Sequence, residues 1–131
     1  MKATLLVTDD SMIIREMIKE VARRADWEVV AEAINGLEAV QMYEHHRPDA
    51  VTLDLTMPEY DGLYALRGIR QLNPEAQVLV VSAIDQAPVI KEAIDLGAAD
   101  FIVKPFDESR LLRALQIFAQ RREAVVRTAS C

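Results

Sequence analysis

Five short apolar runs rich in β-branched residues punctuate this chain, and each is followed by a stretch whose apolar residues recur at helical spacing. The runs are ATLLV (3–7), EVVAEA (28–33), DAVTLDL (49–55), QVLVVSA (77–83) and DFIV (100–103). After the first, SMIIREMIKEVARRA sets Ile13 or Ile14, Met17, Ile18 and Val21 at helical spacing, with Ser11 available as N-cap. The second run ends at Asn35-Gly36, a turn signal, and LEAVQMYEHH follows as a helix stopped near Pro48. The third leads to GLYALRGIRQL, stopped by Asn73-Pro74. The fourth leads to PVIKEAIDLG, with Pro88 early and Gly97 at its end. The fifth leads to DESRLLRALQIFAQ, capped by Asp107.

A strict strand–helix alternation restricts the fold to an open parallel sheet with helices on both faces. Continuously apolar strands such as QVLVV agree, because a parallel sheet is buried on both sides. The expectation is a single doubly wound α/β domain over residues 1–120, with 121–131 as a C-terminal tail or linker stub.

Composition enters as a filter on function. A net charge of −6, with no block of Lys or Arg, argues against direct nucleic-acid binding. No apolar run approaches the ~20 residues of a membrane span, and the N-terminal run is too short for a signal peptide. Cys131 is the only cysteine, which excludes a disulfide framework and suits a reducing cytoplasm. His45-His46 reads as a solvated helix face and Trp27 as core packing. Neither a Gly-rich phosphate loop nor a G-x-S-x-G elbow is present.

Four of the strands run into polar residues: the first into Asp9 and Asp10, the third into Asp54, the fourth into Ser82 and the fifth into Lys104. In a parallel sheet these C-terminal ends share one edge, where ligands bind. Taken singly, each has a plainer reading. Asp9-Asp10-Ser11 is a helix cap, Asp54 a cap or the partner of Lys104, Ser82 a turn hydroxyl and Lys104-Pro105 a surface dipeptide. Together they form a chemical group. Three crowded carboxylates repel by ~1 kcal/mol per pair in water and ~4 kcal/mol nearer the interior. Lys104 offsets one charge, and a divalent cation is the natural source of the rest. An all-oxygen donor set suits Mg²⁺, and the absence of His or Cys disfavours zinc. Mg²⁺, a lysine, a hydroxyl and one forward-placed aspartate suit phosphoryl transfer, with Asp54 as the nucleophile.

The stretches LLVTDDS, DAVTLDLTMPEYDG, VLVVSA and GAADFIVKPF, spread from about Ala3 to Gln120, resemble the receiver domains of two-component response regulators. The resemblance implies a flavodoxin-like (βα)5 fold with strand order 2-1-3-4-5. It implies that Asp54 is the phosphoacceptor, and that Asp9, Asp10, Asp54 and the backbone carbonyl of Thr56 hold Mg²⁺, with Mn²⁺ as a substitute. Lys104 binds the phosphoryl group and precedes Pro105 through a cis peptide. Ser82 and Phe101 form the switch, and Thr56 and Ile84 tune the phosphoryl lifetime. The implied partners are a sensor histidine kinase or phosphotransfer protein and a downstream protein target. The target meets the face made by the fourth helix, fifth strand and fifth helix, where Ile90 and Phe101 are candidates; a monomer or weak homodimer is expected. The chain then acts as a signalling protein, in chemotaxis or another pathway, and catalyses only its own phosphorylation and autodephosphorylation.

Three rival readings remain. The chain is a receiver fragment of a larger regulator with a DNA-binding or enzymatic output domain, an aspartyl-phosphate hydrolase, or a flavin-binding electron carrier. A hydrolase wants a second aspartate where Thr56 stands, and Thr8-Asp9-Asp10-Ser11 would repel a flavin phosphate. Thr8, where the family has an apolar residue, and Phe101, which lacks the hydroxyl of the frequent tyrosine, depart from the pattern.

Overall fold

The computed structural model describes residues 2–83 and 86–130, with side chains through residue 125. Five strands alternate with five helices: β1 Ala3–Thr8, α1 Met12–Arg24, β2 Trp27–Ala33, α2 Gly36–His46, β3 Ala50–Leu53, α3 Gly62–Leu72, β4 Gln77–Ser82, α4 Ala87–Asp95, β5 Asp100–Val103 and α5 Glu108–Ser130. All strand pairings are parallel, in the order β2-β1-β3-β4-β5. The doubly wound sheet expected from the alternation is observed, with the flavodoxin-like strand order that the resemblance implies.

Why the strands are apolar throughout follows from the two cores. Leu5 and Val7 of β1 and Leu79 and Val81 of β4 face Ile18, Val21, Leu111 and Leu115 of α1 and α5. Their neighbours Leu6, Val78 and Val80 point the other way, into Tyr43, Leu66, Ile69 and Ala93 of α2, α3 and α4. Each helix entry is closed locally where a cap is present. Ser11 Oγ accepts from the Ile14 N–H, Asn35 Oδ1 from Glu38 and Asp61 Oδ1 from Tyr64.

Three details differ from the periodicity. The inward stripe of α1 is Ile14, Ile18, Val21 and Ala22, while Ile13 is 71% and Met17 38% exposed. The helix turns ~100° per residue, so only one of two adjacent isoleucines can face α5. Strand β3 stops at Leu53, which sets Asp54 just past the ladder instead of within it. Helix α5 continues without a break past residue 120 to Ser130.

Candidate functional site

The loops that leave β1, β3, β4 and β5 meet at one sheet edge because neighbouring strands stay in register. Thr8 lies beside Leu53, and Ser82 beside Val103. The ladder carries on for one bond beyond the strands: Asp9 N–H donates to the Ala33 carbonyl at 3.0 Å, Asp54 N–H to Thr8 at 3.1 Å, and Lys104 N–H to Ser82 at 2.9 Å. The functional side chains are therefore mounted on residues whose backbones are still fixed by the sheet.

Asp9, Asp10 and Asp54 each offer a carboxylate oxygen, and these lie within 4.8 Å of one another. Asp9 and Asp54 are buried, at 1% and 5% exposure, whereas Asp10 is exposed. Burying two carboxylates costs several kcal/mol each unless they are compensated. The compensation is visible in full. Lys104 Nζ contacts Asp9 Oδ2 at 2.6 Å and Asp54 Oδ2 at 3.3 Å. Asp54 Oδ1 accepts from Ser82 Oγ at 2.9 Å and from the Thr56 N–H at 3.2 Å. Asp9 Oδ1 accepts from the Ser11 N–H at 2.9 Å. The peptide between Lys104 and Pro105 is cis.

One lysine faces three carboxylates, so the cluster keeps an excess of negative charge directed at solvent through Asp10. The donors are all oxygens, and among the described residues no His or Cys joins them. That donor set fits a hard divalent cation such as Mg²⁺, with Asp9, Asp10 and Asp54 able to hold it.

The backbone under Asp54 is shaped by Gly62, the first residue of α3. Its N–H donates to the Leu55 carbonyl at 3.1 Å. A Cβ there would overlap the Asp54 carbonyl oxygen and stand 2.6 Å from Leu55 Cα. Only glycine lets α3 begin so close to the acidic residue.

Arg15 was not singled out by sequence. Its Nη1 donates to the Asp9 carbonyl at 2.8 Å while its Nε pairs with Glu32 Oε1 at 3.0 Å, so β2 and α1 jointly hold the acidic loop. Phe101 is half-buried on β5 and packs on the α2, α3 and α4 side of the core. Thr56 is exposed beside Asp54, Ile90 half-buried on α4, and Ile84 falls outside the described residues. Thr8 is buried with an unpartnered hydroxyl, as is Thr52. His45 and His46 lie on the outside of α2, and Trp27 is buried at 4% exposure.

Comparison with known proteins converges on one family. The profile described as "Response regulator receiver domain" matches residues 5–116. The chemotaxis protein CheY of Listeria monocytogenes is 54% identical over 112 residues, covering 86% of this chain and 94% of the relative. Among solved structures, the REC domain of AraT, a response regulator from Geobacillus stearothermophilus, superposes with a TM-score of 0.86 at 35% identity, covering 95% of this chain and 98% of that one. A CheX–CheY–BeF3–Mg complex from Borrelia burgdorferi contains a chain similar at TM-score 0.83 and 32% identity, with 86% of each chain covered.

Proposed function

The chain belongs to the response regulator receiver domain family, and from that premise we propose that Asp54 accepts a phosphoryl group and thereby resets the surface of α4, β5 and α5. The donor is a sensor histidine kinase or a phosphotransfer protein. One observation carries the reading: a carboxylate at the open edge of the sheet, gripped by Lys104 at 3.3 Å and Ser82 at 2.9 Å.

In the transfer an Asp54 carboxylate oxygen attacks phosphorus and an O–P bond forms. The bond from phosphorus to the donor's imidazole nitrogen breaks, its electron pair leaves with the nitrogen, and that nitrogen is protonated. Lys104 keeps its positive charge beside the oxygens that gain negative charge, and Ser82 holds Asp54 in line beforehand. Asp9, Asp10, Asp54 and the Thr56 carbonyl would hold Mg²⁺, or Mn²⁺ in its place. When bound, the ion neutralises charge on the phosphoryl group. The Mg-bearing CheY complex from Borrelia burgdorferi supports that assignment.

The added phosphoryl group is a new acceptor of hydrogen bonds. Ser82 turns from the Asp54 carboxylate towards it, and Phe101 moves into the space released. Two packings of one aromatic residue are the bistable element, and the phosphoryl charge biases them. The altered face, with Ile90, engages a downstream protein. Relatives named as chemotaxis proteins favour a motility output in the cytoplasm. The receiver occupies residues 1–120, and 121–131 form an appendage. Apolar Ile84, unable to orient water, works with Thr56 to keep the phosphoryl group longer-lived; Ile84→Glu shortens its lifetime, and an unchanged lifetime refutes the assignment.

The test of the central step is intact mass after incubation with acetyl phosphate. A Mg²⁺-dependent phosphoryl adduct forms on the native chain and is absent from Asp54→Asn. An equal adduct on the variant, or none on the native chain, overturns the reading.

A further inference from the structure

The sheet edge opposite Asp54, where β3 and β4 begin, forms the floor of a groove of about 760 Å³. That lies within the range of specific ligand sites. Along β3 it is ~17 Å from the acidic cluster, five residues at ~3.3 Å each.

One wall is α5. Phe118, Arg121, Arg122 and Val125 line the groove at i, i+3, i+4 and i+7, so they share one helix face. This face continues the buried stripe of Leu111, Ala114 and Leu115, yet Val125 is 68% exposed because the helix has run past the body that covers the stripe. The family profile ends at residue 116, so this wall lies beyond the matched stretch, with Phe118 still anchored in the core at 2% exposure. The other walls are the C-terminal ends of α2 and α3, which supply Tyr43, Arg47, Arg70 and Asn73.

The charges in the groove are unlike those elsewhere on the molecule. Among the residues whose side chains are described, every Lys and Arg but four lies within 4.0 Å of a carboxylate. The four are Arg47, Arg70, Arg113 and Arg121, and all but Arg113 line this groove. Arg47 donates to the Leu72 carbonyl at 3.3 Å, Arg70 to the Ala76 carbonyl at 3.1 Å and Arg121 to Gln77 Oε1 at 3.2 Å. Neutral acceptors orient a guanidinium without cancelling its charge. Arg47 and Arg121 also lie over the Tyr43 and Phe118 rings, each 5.7 Å from the centroid. Of the two carboxylates in the lining, Asp49 is taken by Arg122 at 3.0 Å and Glu75 is exposed. On a chain of net charge −6, this is a local cationic groove with one exposed apolar side chain, Val125, on its helical wall.

We infer that the groove receives an acidic peptide segment of a partner protein, carrying at least one apolar side chain that covers Val125. Charge complementarity requires the acid, and exposed Val125 at the end of the helix face requires the apolar group. An inorganic anion would leave Val125 exposed. The site is separate from phosphorylation at Asp54 and gives the protein a second contact with its partners.

The probe is a fluorescein-labelled peptide, Asp-Glu-Leu-Asp-Phe-Glu, titrated with the full chain by fluorescence anisotropy at low salt. Saturable binding with a Kd of about 100 μM is expected. The double variant Arg47→Glu, Arg121→Glu weakens it about tenfold or more, and Arg113→Glu changes it less than about twofold. Each variant keeps the native circular-dichroism spectrum and thermal midpoint, which separates loss of the groove from loss of the fold. No saturable binding at about 1 mM chain overturns the inference, as does an equal effect of Arg113→Glu. Equal affinity for a peptide with Leu and Phe replaced by Ser also overturns it, because the groove is then a general anion site. So does a dimer abolished by Arg121→Glu, because a second copy is then the occupant.

Discussion

Asp10 is the carboxylate of the acidic cluster that takes no hydrogen bond or ion pair among the described residues, while Asp9 and Asp54 are held by Lys104, Ser82 and backbone donors. It adds repulsion without compensation, so Asp10→Asn is expected to stabilise the metal-free protein by ~1 kcal/mol. The same change lowers Mg²⁺ affinity about tenfold or more. Urea unfolding without metal and calorimetric titration with Mg²⁺ read the two effects separately, and a loss of both would show Asp10 to be structural. A second consequence concerns acid. Burial acts to raise the Glu32 carboxyl, but hydrogen bonds from Lys19 and Arg15 outweigh it, and the net shift is downward from the ordinary 4.5. A lowered carboxylate contributes stability that is present above its unfolded value and lost as pH falls through the folded one. Glu32→Gln therefore flattens the stability curve below about pH 4.5 and leaves it parallel near neutrality, as thermal midpoints across pH would show. Arg15 itself was not legible in the sequence. Its hold on the Asp9 carbonyl depends on β2 lying beside β1, a tertiary relation that spacing along the chain does not carry. The cluster at the strand ends was legible, because a parallel sheet turns residues far apart in sequence into neighbours on one edge.

At the scale of elements, the start of α3 and the end of β3 act as one unit. Gly62→Ala is expected to destabilise by ~2 kcal/mol or more, since the added methyl meets the Asp54 and Leu55 backbone and no flexible side chain can yield. A lower urea midpoint should accompany slower phosphorylation by acetyl phosphate, because the relief of that overlap displaces Asp54. An Ala at this position with native stability would mean that α3 can retreat without cost. Helix α3 could be bounded from sequence at both ends, by Asp61-Gly62 and Asn73-Pro74. The C-terminus of α5 could not. The stretch after Gln120 contains no Gly or Pro, and its helix-favouring residues simply continue the pattern. The end of β3 was misplaced by the same logic: Asp54 and Leu55 keep an extended pattern, but the ladder stops at Leu53.

For the whole molecule, residues 5–116 carry the family match, both cores are complete by Ala119, and the rest of α5 is an overhang. A chain ended after Gln120 is expected to fold and to take the phosphoryl group at the native rate. It should lose less than ~1 kcal/mol, mainly the part-exposed Arg122–Asp49 pair. Mass spectrometry after acetyl phosphate, with urea unfolding, tests this; failure to fold would make the overhang part of the domain. The ion pair between Lys104 and Asp9 spans 95 residues and ties the last strand's exit to the first strand's. A ribosome adding 5–20 residues per second needs roughly 5–20 s to cover that distance. During that interval Asp9 has been made but its counter-charge has not. Chains that stall or are cut before β5 thus hold Asp9 and Asp54 without the lysine that compensates both. Under the proposed function, such chains lack the lysine that would bind the phosphoryl group.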